Sequence, residues 1–228
     1  MENFELFHVL NRGVDKRQIF MDKQDHYRFV HDLFEFNDKN PAAHSYYYNT
    51  PIDPQSSDIG CRKIKEKRDL LVHIHAFCMM PNHYHLLVSP VVEDGLPKFM
   101  KKLNMGYAKY FNKKYERSGA LFQGCYKSVP IVSDSHFLFI PFYIHLNPLD
   151  LLFPKWRSGN VAKTQEALSF LDSYRWSSHL DFLEKNNFPS LTQREYFKEI
   201  LGSPTQYTKK ITEWISSDIV PPTELLLE

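Results

Sequence analysis

Two apolar runs separated by a proline and an asparagine constrain the fold of this chain more than any other feature. The segments LLVHIHAFCMM and HYHLLVSP have the composition of β-strands, and Pro81 and Asn82 between them favour a turn. We therefore expect an antiparallel hairpin. Since residues two apart share one face of a strand, the second strand would present His83 and His85 in parallel, with Tyr84 on the other face.

The flanking segments predict helices and two more strands. We expect a strand in FELFHVLNRG, a helix from Asp22 to Phe36, an amphipathic helix from Leu96 to Arg117, a last strand in ALFQGCYKSVPIV, and a helix ending near Asn147. This order is that of a ferredoxin-like sheet. The predicted class is α+β, an antiparallel sheet with helices on one face, an added helix and a helical carboxy-terminal appendage.

The domain organisation follows from the same pattern. Residues 1–150 are predicted to form the ferredoxin-like domain, interrupted at about 37–70 by an irregular insertion that is rich in proline and tyrosine. Residues 151–228 are the predicted appendage, with a helical stretch from Thr192 to about Trp214.

Composition limits the class of protein. The chain of 228 residues is 43% hydrophobic, which is enough for a substantial core, and no apolar run approaches the length of a membrane span. The amino terminus carries acidic residues where a secretory signal would be basic, so we expect a cytoplasmic protein without a membrane partner. The net charge of +1 gives no electrostatic argument for nucleic acid, but the stretch from Lys101 to Lys127 is locally basic.

The histidine pair indicates a metal site, although other interpretations stay open. His83 and His85 could be polar residues on a half-buried strand, and His73 and His75 form a second pair with the same spacing. On the last helix, Tyr143 and Asn147 are four residues apart and share a face. An amide oxygen suits Mg²⁺ or Mn²⁺, and a tyrosine beside such an ion could attack a phosphodiester, whereas the alternative is that Tyr143 only packs in the core.

Five motifs together resemble a known family. MPNHYHLLV, FHVLNRG, RSGALFQGCYKS, YIHLNP and WSS resemble, in matching order, the single-tyrosine HUH (IS200-like) transposases, specifically the REP-associated tyrosine transposases. The resemblance implies that His83 and His85 bind a divalent metal, Mg²⁺ or Mn²⁺, that Asn147 is the third ligand and that Tyr143 is the nucleophile. It implies cleavage and rejoining of single-stranded DNA next to REP-like hairpins through a covalent 5'-phosphotyrosine, and it leaves both a monomer and a homodimer open.

Departures from the family pattern keep two other functions open. Cys125 stands where the family usually has arginine, Phe122 where it has tryptophan, and Pro141 lies two residues before Tyr143. A former transposase that binds hairpins without efficient cleavage is one alternative. A metal-dependent hydrolase that uses both histidine pairs and an activated water is another.

A nuclease of this kind needs cations for phosphates and aromatic faces for unpaired bases. The candidates for DNA binding are Arg12, Lys101, Lys109, Lys113, Lys127 and Tyr107. The alternative for each is that exposed lysines are merely solvated and that helically spaced aromatic residues belong to the core.

Overall fold

A four-stranded antiparallel sheet forms the centre of the protein. The structure is a computed structural model that describes residues 5–41, 68–154, 156–158, 161 and 163–216. The strands are β1 (Phe7–Arg12), β2 (Val72–Met80), β3 (His83–Pro90) and β4 (Lys127–Pro130), in the spatial order β2-β3-β1-β4. All neighbouring pairs are antiparallel, so the predicted α+β class and the predicted hairpin at Pro81 and Asn82 are confirmed.

Seven helices surround the sheet in the described part of the chain. They are α1 (Lys23–Glu35), α2 (Gly95–Lys114), α3 (Asp134–Leu146), α4 (Thr164–Ser173), α5 (His179–Phe182), α6 (Glu195–Leu201) and α7 (Pro204–Ser216). α1 begins where the sequence predicted, because the Asp22 carboxylate accepts from the Asp25 amide in a capping box. α3 runs through Pro141 and ends at Leu146, as predicted.

Three predicted boundaries differ from the structure. α2 ends at Lys114, three residues before Arg117, and the last strand is confined to Lys127–Pro130. The carboxy-terminal helical stretch is two helices, because Gly202 between them has a φ of +78°, a left-handed conformation that ends α6. Most of the insertion predicted at 37–70 lies outside the described residues.

Each face of the sheet carries its own hydrophobic core. Tyr84, Leu86 and Val88 of β3 pack with α1 and α2 in the first core. Leu87 lies on the opposite face with β2 residues such as Cys78, and packs in a second core that contains α3, α4, α6 and α7. We call these the α1–α2 face and the α3 face. β3 is therefore buried on both sides, which is why it reads as a nearly continuous apolar run.

The segment after Pro148 is closely packed against the sheet. Residues 176–178 run along the outer edge of β2, where the Met79 amide donates to the Trp176 carbonyl at 2.8 Å and the Ser178 amide to the Phe77 carbonyl at 3.0 Å. This contact covers one exposed edge of the sheet. The division at residue 150 stays a prediction. No helix within the described ranges combines the length and the apolar character needed to cross a membrane.

Buried histidines tie the carboxy-terminal helices to the sheet. The Tyr207 hydroxyl of α7 lies 2.8 Å from His145 Nδ1 of α3 and 2.9 Å from His179 Nδ1. In β2, the His75 ring lies between the Ser89 hydroxyl, at 2.8 Å from Nε2, and the Gln193 carbonyl, at 3.4 Å from Nδ1. Burial lowers the pKa of His145 and of His179 and lowers the pKa of His75 to about 4.

These lowered pKa values predict a loss of stability in acid. Below the pKa of an unfolded histidine, about 6.5, the unfolded chain binds protons that the folded protein excludes. The free energy of unfolding therefore decreases as the pH decreases. For His75 the window runs from about pH 6.5 to about pH 4. We expect thermal unfolding at pH 7, 6 and 5 to show a falling Tm, and His75→Gln to show a shallower fall. An unchanged slope in the variant would contradict this assignment.

Candidate functional site

The paired histidines of β3 lie on the α3 face of the sheet. His83 and His85 are both buried, and their ring centroids are 4.9 Å apart. Tyr84 between them points to the α1–α2 face, where its hydroxyl donates to Asn104 Oδ1 at 2.6 Å. The two imidazoles are therefore neighbours on one face, as the sequence predicted, although their ring planes are inclined by 81° and are not parallel.

Each imidazole uses Nδ1 in a hydrogen bond to a neighbouring side chain. His83 Nδ1 lies 2.6 Å from Asn82 Oδ1, and the Asn82 amide nitrogen donates to the Lys16 carbonyl at 3.2 Å, which fixes the orientation of the amide. Because Oδ1 only accepts, Nδ1 of a neutral His83 carries the proton and Nε2 carries the lone pair. His85 Nδ1 lies 2.9 Å from His8 Nε2 of β1.

Tyr143 of α3 meets the histidines from above the sheet. Its ring centroid is 5.8 Å from that of His85 and 5.8 Å from that of His8, and both contacts are edge to face. The side chain is fully buried. The structure thus brings Tyr143 and the imidazoles together within one polypeptide, although they are 58 residues or more apart in sequence.

Asn147 is one turn beyond Tyr143, and its amide is held at both ends. Nδ2 donates to the Tyr143 carbonyl at 2.8 Å, and Oδ1 accepts from Arg157 Nη2 at 3.0 Å. The Arg157 guanidinium also pairs with Asp150 and lies 5.7 Å from the centroid of the Tyr143 ring. A guanidinium and a metal cation repel each other, so Asn147 can act as a metal ligand only if Arg157 moves away from it.

The donor set fits a divalent ion in part. A neutral imidazole with a lone pair on Nε2, as His83 has, is a suitable ligand, and the Nδ1 contacts of both histidines resemble those that orient metal-binding histidines in general. Within the described ranges, no group of three or more His, Cys, Asp or Glu side chains could hold a metal ion. A third protein ligand would therefore be of another kind, as an asparagine oxygen is.

Two predicted DNA contacts lie on the same face as the histidines. Arg12 is directly opposite His83 in the antiparallel register, and Lys127 is opposite Leu10, which is itself opposite His85. Directly opposed residues of an antiparallel pair project to the same face. Arg12 and Lys127 therefore flank the imidazoles on the α3 face, and Lys127 is exposed.

The predicted contacts of α2 lie on the other side of the molecule. Lys101, Lys109 and Lys113 are exposed on the outer surface of α2, and the sheet separates this helix from Tyr143. Tyr107 is fully buried in the first core and its hydroxyl donates to the Ile19 carbonyl at 2.5 Å. The prediction that Tyr107 stacks on DNA is wrong, because its ring presents no face to solvent.

The second histidine pair is separate from the first. His73 is opposite Ser89, at the far end of the hairpin from His83, and His75 is held by Ser89 and Gln193. A backbone carbonyl accepts only, so His75 Nδ1 donates to Gln193 and Nε2 accepts from the Ser89 hydroxyl. Both ring nitrogens of His75 are thus used within the fold, which favours a structural role for His75 over metal binding.

Sequence reasoning missed three residues around the site: His8, Asn82 and Arg157. Asn82 and His8 fall within the motifs MPNHYHLLV and FHVLNRG, so their presence there was the available signal. Arg157 lies between the motifs YIHLNP and WSS, in a short 3-10 helix, Trp156–Ser158, and only the tertiary structure brings it to Asn147.

Comparison with known proteins identifies a similar family and distantly similar solved structures. No curated protein matches the sequence. A solved structure of a REP-associated tyrosine transposase bound to a REP hairpin aligns with 83% of this chain and 84% of its own, at 12% identity and a TM-score of 0.49, a similarity too low to support an argument. The family model described as "Transposase IS200 like" matches residues 51–147. The resemblance predicted from the motifs is thereby confirmed for the part of the chain that holds His83, His85, Tyr143 and Asn147: residues 51–147 are similar to the IS200-like transposases.

Proposed function

We propose that this protein is a metal-dependent endonuclease and strand transferase for single-stranded DNA, acting next to DNA hairpins. The observation that carries the proposal is the contact of the Tyr143 ring with His85 and His8, at 5.8 Å between centroids in both cases. A phenol beside paired imidazoles is the arrangement that the IS200-like resemblance requires. If Tyr143 only filled the hydrophobic core, it would not need to lie beside histidines.

In the proposed reaction, the Tyr143 hydroxyl oxygen attacks a phosphorus atom of the DNA backbone. The new bond joins phosphorus to Tyr143, the bond to the 3' oxygen breaks, and the phenolic proton is lost while the departing oxygen gains one. The products are a 5'-phosphotyrosine and a free 3' hydroxyl. Attack of a 3' hydroxyl on the phosphotyrosine reverses these changes and rejoins DNA, so no nucleotide cofactor is consumed.

His83 and His85 are the proposed metal ligands. A divalent ion there, Mg²⁺ or Mn²⁺, supplies positive charge that offsets the charge on the phosphate during the attack. Asn82 holds the His83 ring in the tautomer that binds a cation. Asn147 is the proposed third ligand once Arg157 has moved away from its oxygen, and the displaced guanidinium is suited to bind a phosphate of the DNA.

The burial of Tyr143 favours a second candidate function. A fully buried phenol is out of reach of a phosphodiester until neighbouring side chains move, and Arg157 lies over its ring. A protein that binds hairpin DNA and does not cleave it efficiently would tolerate this arrangement. The two candidates differ in whether DNA and metal expose Tyr143.

A covalent adduct separates these candidates. The protein is incubated with Mn²⁺ and end-labelled single-stranded hairpin DNA, and a denaturing gel is examined for a protein-linked band. We expect the band in the wild type and its loss in Tyr143→Phe, because only the phenol can form the bond.

The matched control is Tyr110→Phe, which should leave the band unchanged. The Tyr110 hydroxyl donates to Asp25 on the other side of the sheet. A native-gel shift without any adduct would favour the binding protein. Cleavage that survives Tyr143→Phe would instead point to a hydrolase that uses water.

The basic residues of the α3 face and those of α2 are expected to affect DNA binding differently. We expect Arg12→Gln and Lys127→Gln to weaken hairpin binding. On a single strand, each phosphate that is no longer neutralised should make the log-log salt dependence shallower by about 0.7. Lys101→Gln and Lys109→Gln remove the same number of positive charges from α2 and serve as controls. Fluorescence anisotropy over a range of salt concentrations measures the slopes. A larger effect from the α2 pair would place the DNA on the other face.

If Arg157 must leave Asn147 before a metal binds, the effects of these two residues on metal affinity should depend on each other. Arg157→Gln removes the cation beside Asn147 Oδ1, so we expect Mn²⁺ to bind several-fold more tightly, as measured by isothermal titration calorimetry without DNA. In the double variant Asn147→Ala, Arg157→Gln the gain should vanish. If the gain persists without Asn147, the asparagine is not the third ligand.

A further inference from the structure

His8 of β1 is a buried imidazole that contacts both halves of the candidate site. Its Nε2 lies 2.9 Å from His85 Nδ1, and its ring meets the edge of Tyr143 at 5.8 Å. The side chain is 1% exposed, so water does not compete for these contacts. His8 also lies outside residues 51–147, the range that matches the transposase family.

The contact between His8 and His85 is an in-plane hydrogen bond. The two ring planes are inclined by only 18° and their centroids are 5.1 Å apart. That separation is what two nearly coplanar imidazoles have when one N–H···N bond joins their edges, and it is too long for a face-to-face stack of rings in van der Waals contact. The bond therefore has a direction, and one of the two nitrogens donates.

The direction of this bond decides whether His85 can bind a cation. If His85 Nδ1 donates, Nε2 of a neutral His85 carries a lone pair and can ligate. If His8 Nε2 donates instead, the His85 proton is on Nε2 and no lone pair remains there. The two arrangements differ only in the position of protons, and they have the same heavy-atom geometry.

We propose that His8 is a positioning residue that accepts a hydrogen bond from His85 Nδ1 and so holds His85 in its metal-binding tautomer against Tyr143. The inference rests on the proposed function, because it assumes that His83 and His85 hold a divalent ion. His8 itself carries its proton on Nδ1 and does not touch the ion. Its role parallels that of Asn82 Oδ1, which accepts from His83 Nδ1 at 2.6 Å.

Two substitutions at His8 separate hydrogen bonding from packing. In His8→Gln, the side-chain oxygen can reach the position of the imidazole Nε2 and accept from His85, so Mn²⁺ affinity should stay within a few-fold of the wild type. In His8→Leu, no acceptor remains, and the affinity should fall by roughly 10- to 100-fold, the usual effect of losing a partner of a ligating histidine. Calorimetric titration of the DNA-free protein with Mn²⁺ measures both.

His75→Leu is the matched control. His75 is also a buried imidazole of the sheet, and its ring bonds to Ser89 and Gln193, away from Tyr143. This variant loses comparable packing and hydrogen bonding, so its Tm should fall as in His8→Leu while its Mn²⁺ affinity is retained. Equal losses of affinity in the two leucine variants would reduce the effect to general destabilisation and overturn the proposal.

Proton positions give an independent readout. In a protein with ¹⁵N-labelled histidine, long-range ¹H–¹⁵N spectra distinguish the two neutral tautomers. We expect saturation with diamagnetic Mg²⁺ to leave both His8 and His85 with the proton on Nδ1. A proton on His8 Nε2 in the metal-bound protein would contradict the assignment, whatever the affinities.

Failure of this inference is distinguishable from failure of the proposed function. If the wild type binds Mn²⁺, and His83→Ala abolishes binding while His8→Leu does not, the positioning role of His8 is wrong and the metal site stands. If the wild type binds no Mn²⁺, or His83→Ala binds as tightly, the proposed metal site fails and the inference fails with it.

Discussion

The packing of α3 across the sheet is the interaction on which the candidate site depends. Tyr143 reaches His8 and His85 only because α3 lies on the face that carries these imidazoles, and because the strand alternation places Tyr84 on the opposite face. The same face buries Cys78 and Leu87 beneath α3 in the second core. Hydrophobic burial therefore sets the distance between the phenol and the imidazoles, and the polar contacts refine their orientation.

The two faces of the sheet differ in role: one forms a closed hydrophobic core, and the other carries the candidate site. The α1–α2 face is a closed core in which tyrosine hydroxyls such as that of Tyr107 are satisfied by the fold itself. On the α3 face, the polar group around Tyr143 consists of two hydrogen-bonded pairs, His8 with His85 and Asn147 with Arg157, and Arg12 and Lys127 lie on the strands of the same face. A buried polar group of this size costs free energy unless it is fully bonded, so its presence is more typical of a functional site than of a core.

The carboxy-terminal helices belong to the architecture of the site. They bury the outer side of α3, and the hydroxyl of Tyr207 joins His145 of α3 to His179. Arg157 from the same region contacts both Asn147 and the Tyr143 ring. The position of Tyr143 thus depends on residues more than ten positions beyond it, as well as on the helix that carries it.

Much of the fold and the centre of the site were predictable because they depend on local rules. Strand-like composition and the turn residues Pro81 and Asn82 predicted the hairpin, and period-two alternation predicted the shared face of His83 and His85. Helical spacing predicted that Asn147 lies one turn from Tyr143, and the proline after Asn147 predicted the end of α3. The sequence by itself did not determine that Tyr107 is core, that the α2 lysines face away from the histidines, or that His8 and Arg157 contact the site. These facts depend on which face of the sheet each helix covers and on contacts between distant segments, and only the burial of apolar surface in the complete tertiary structure decides both.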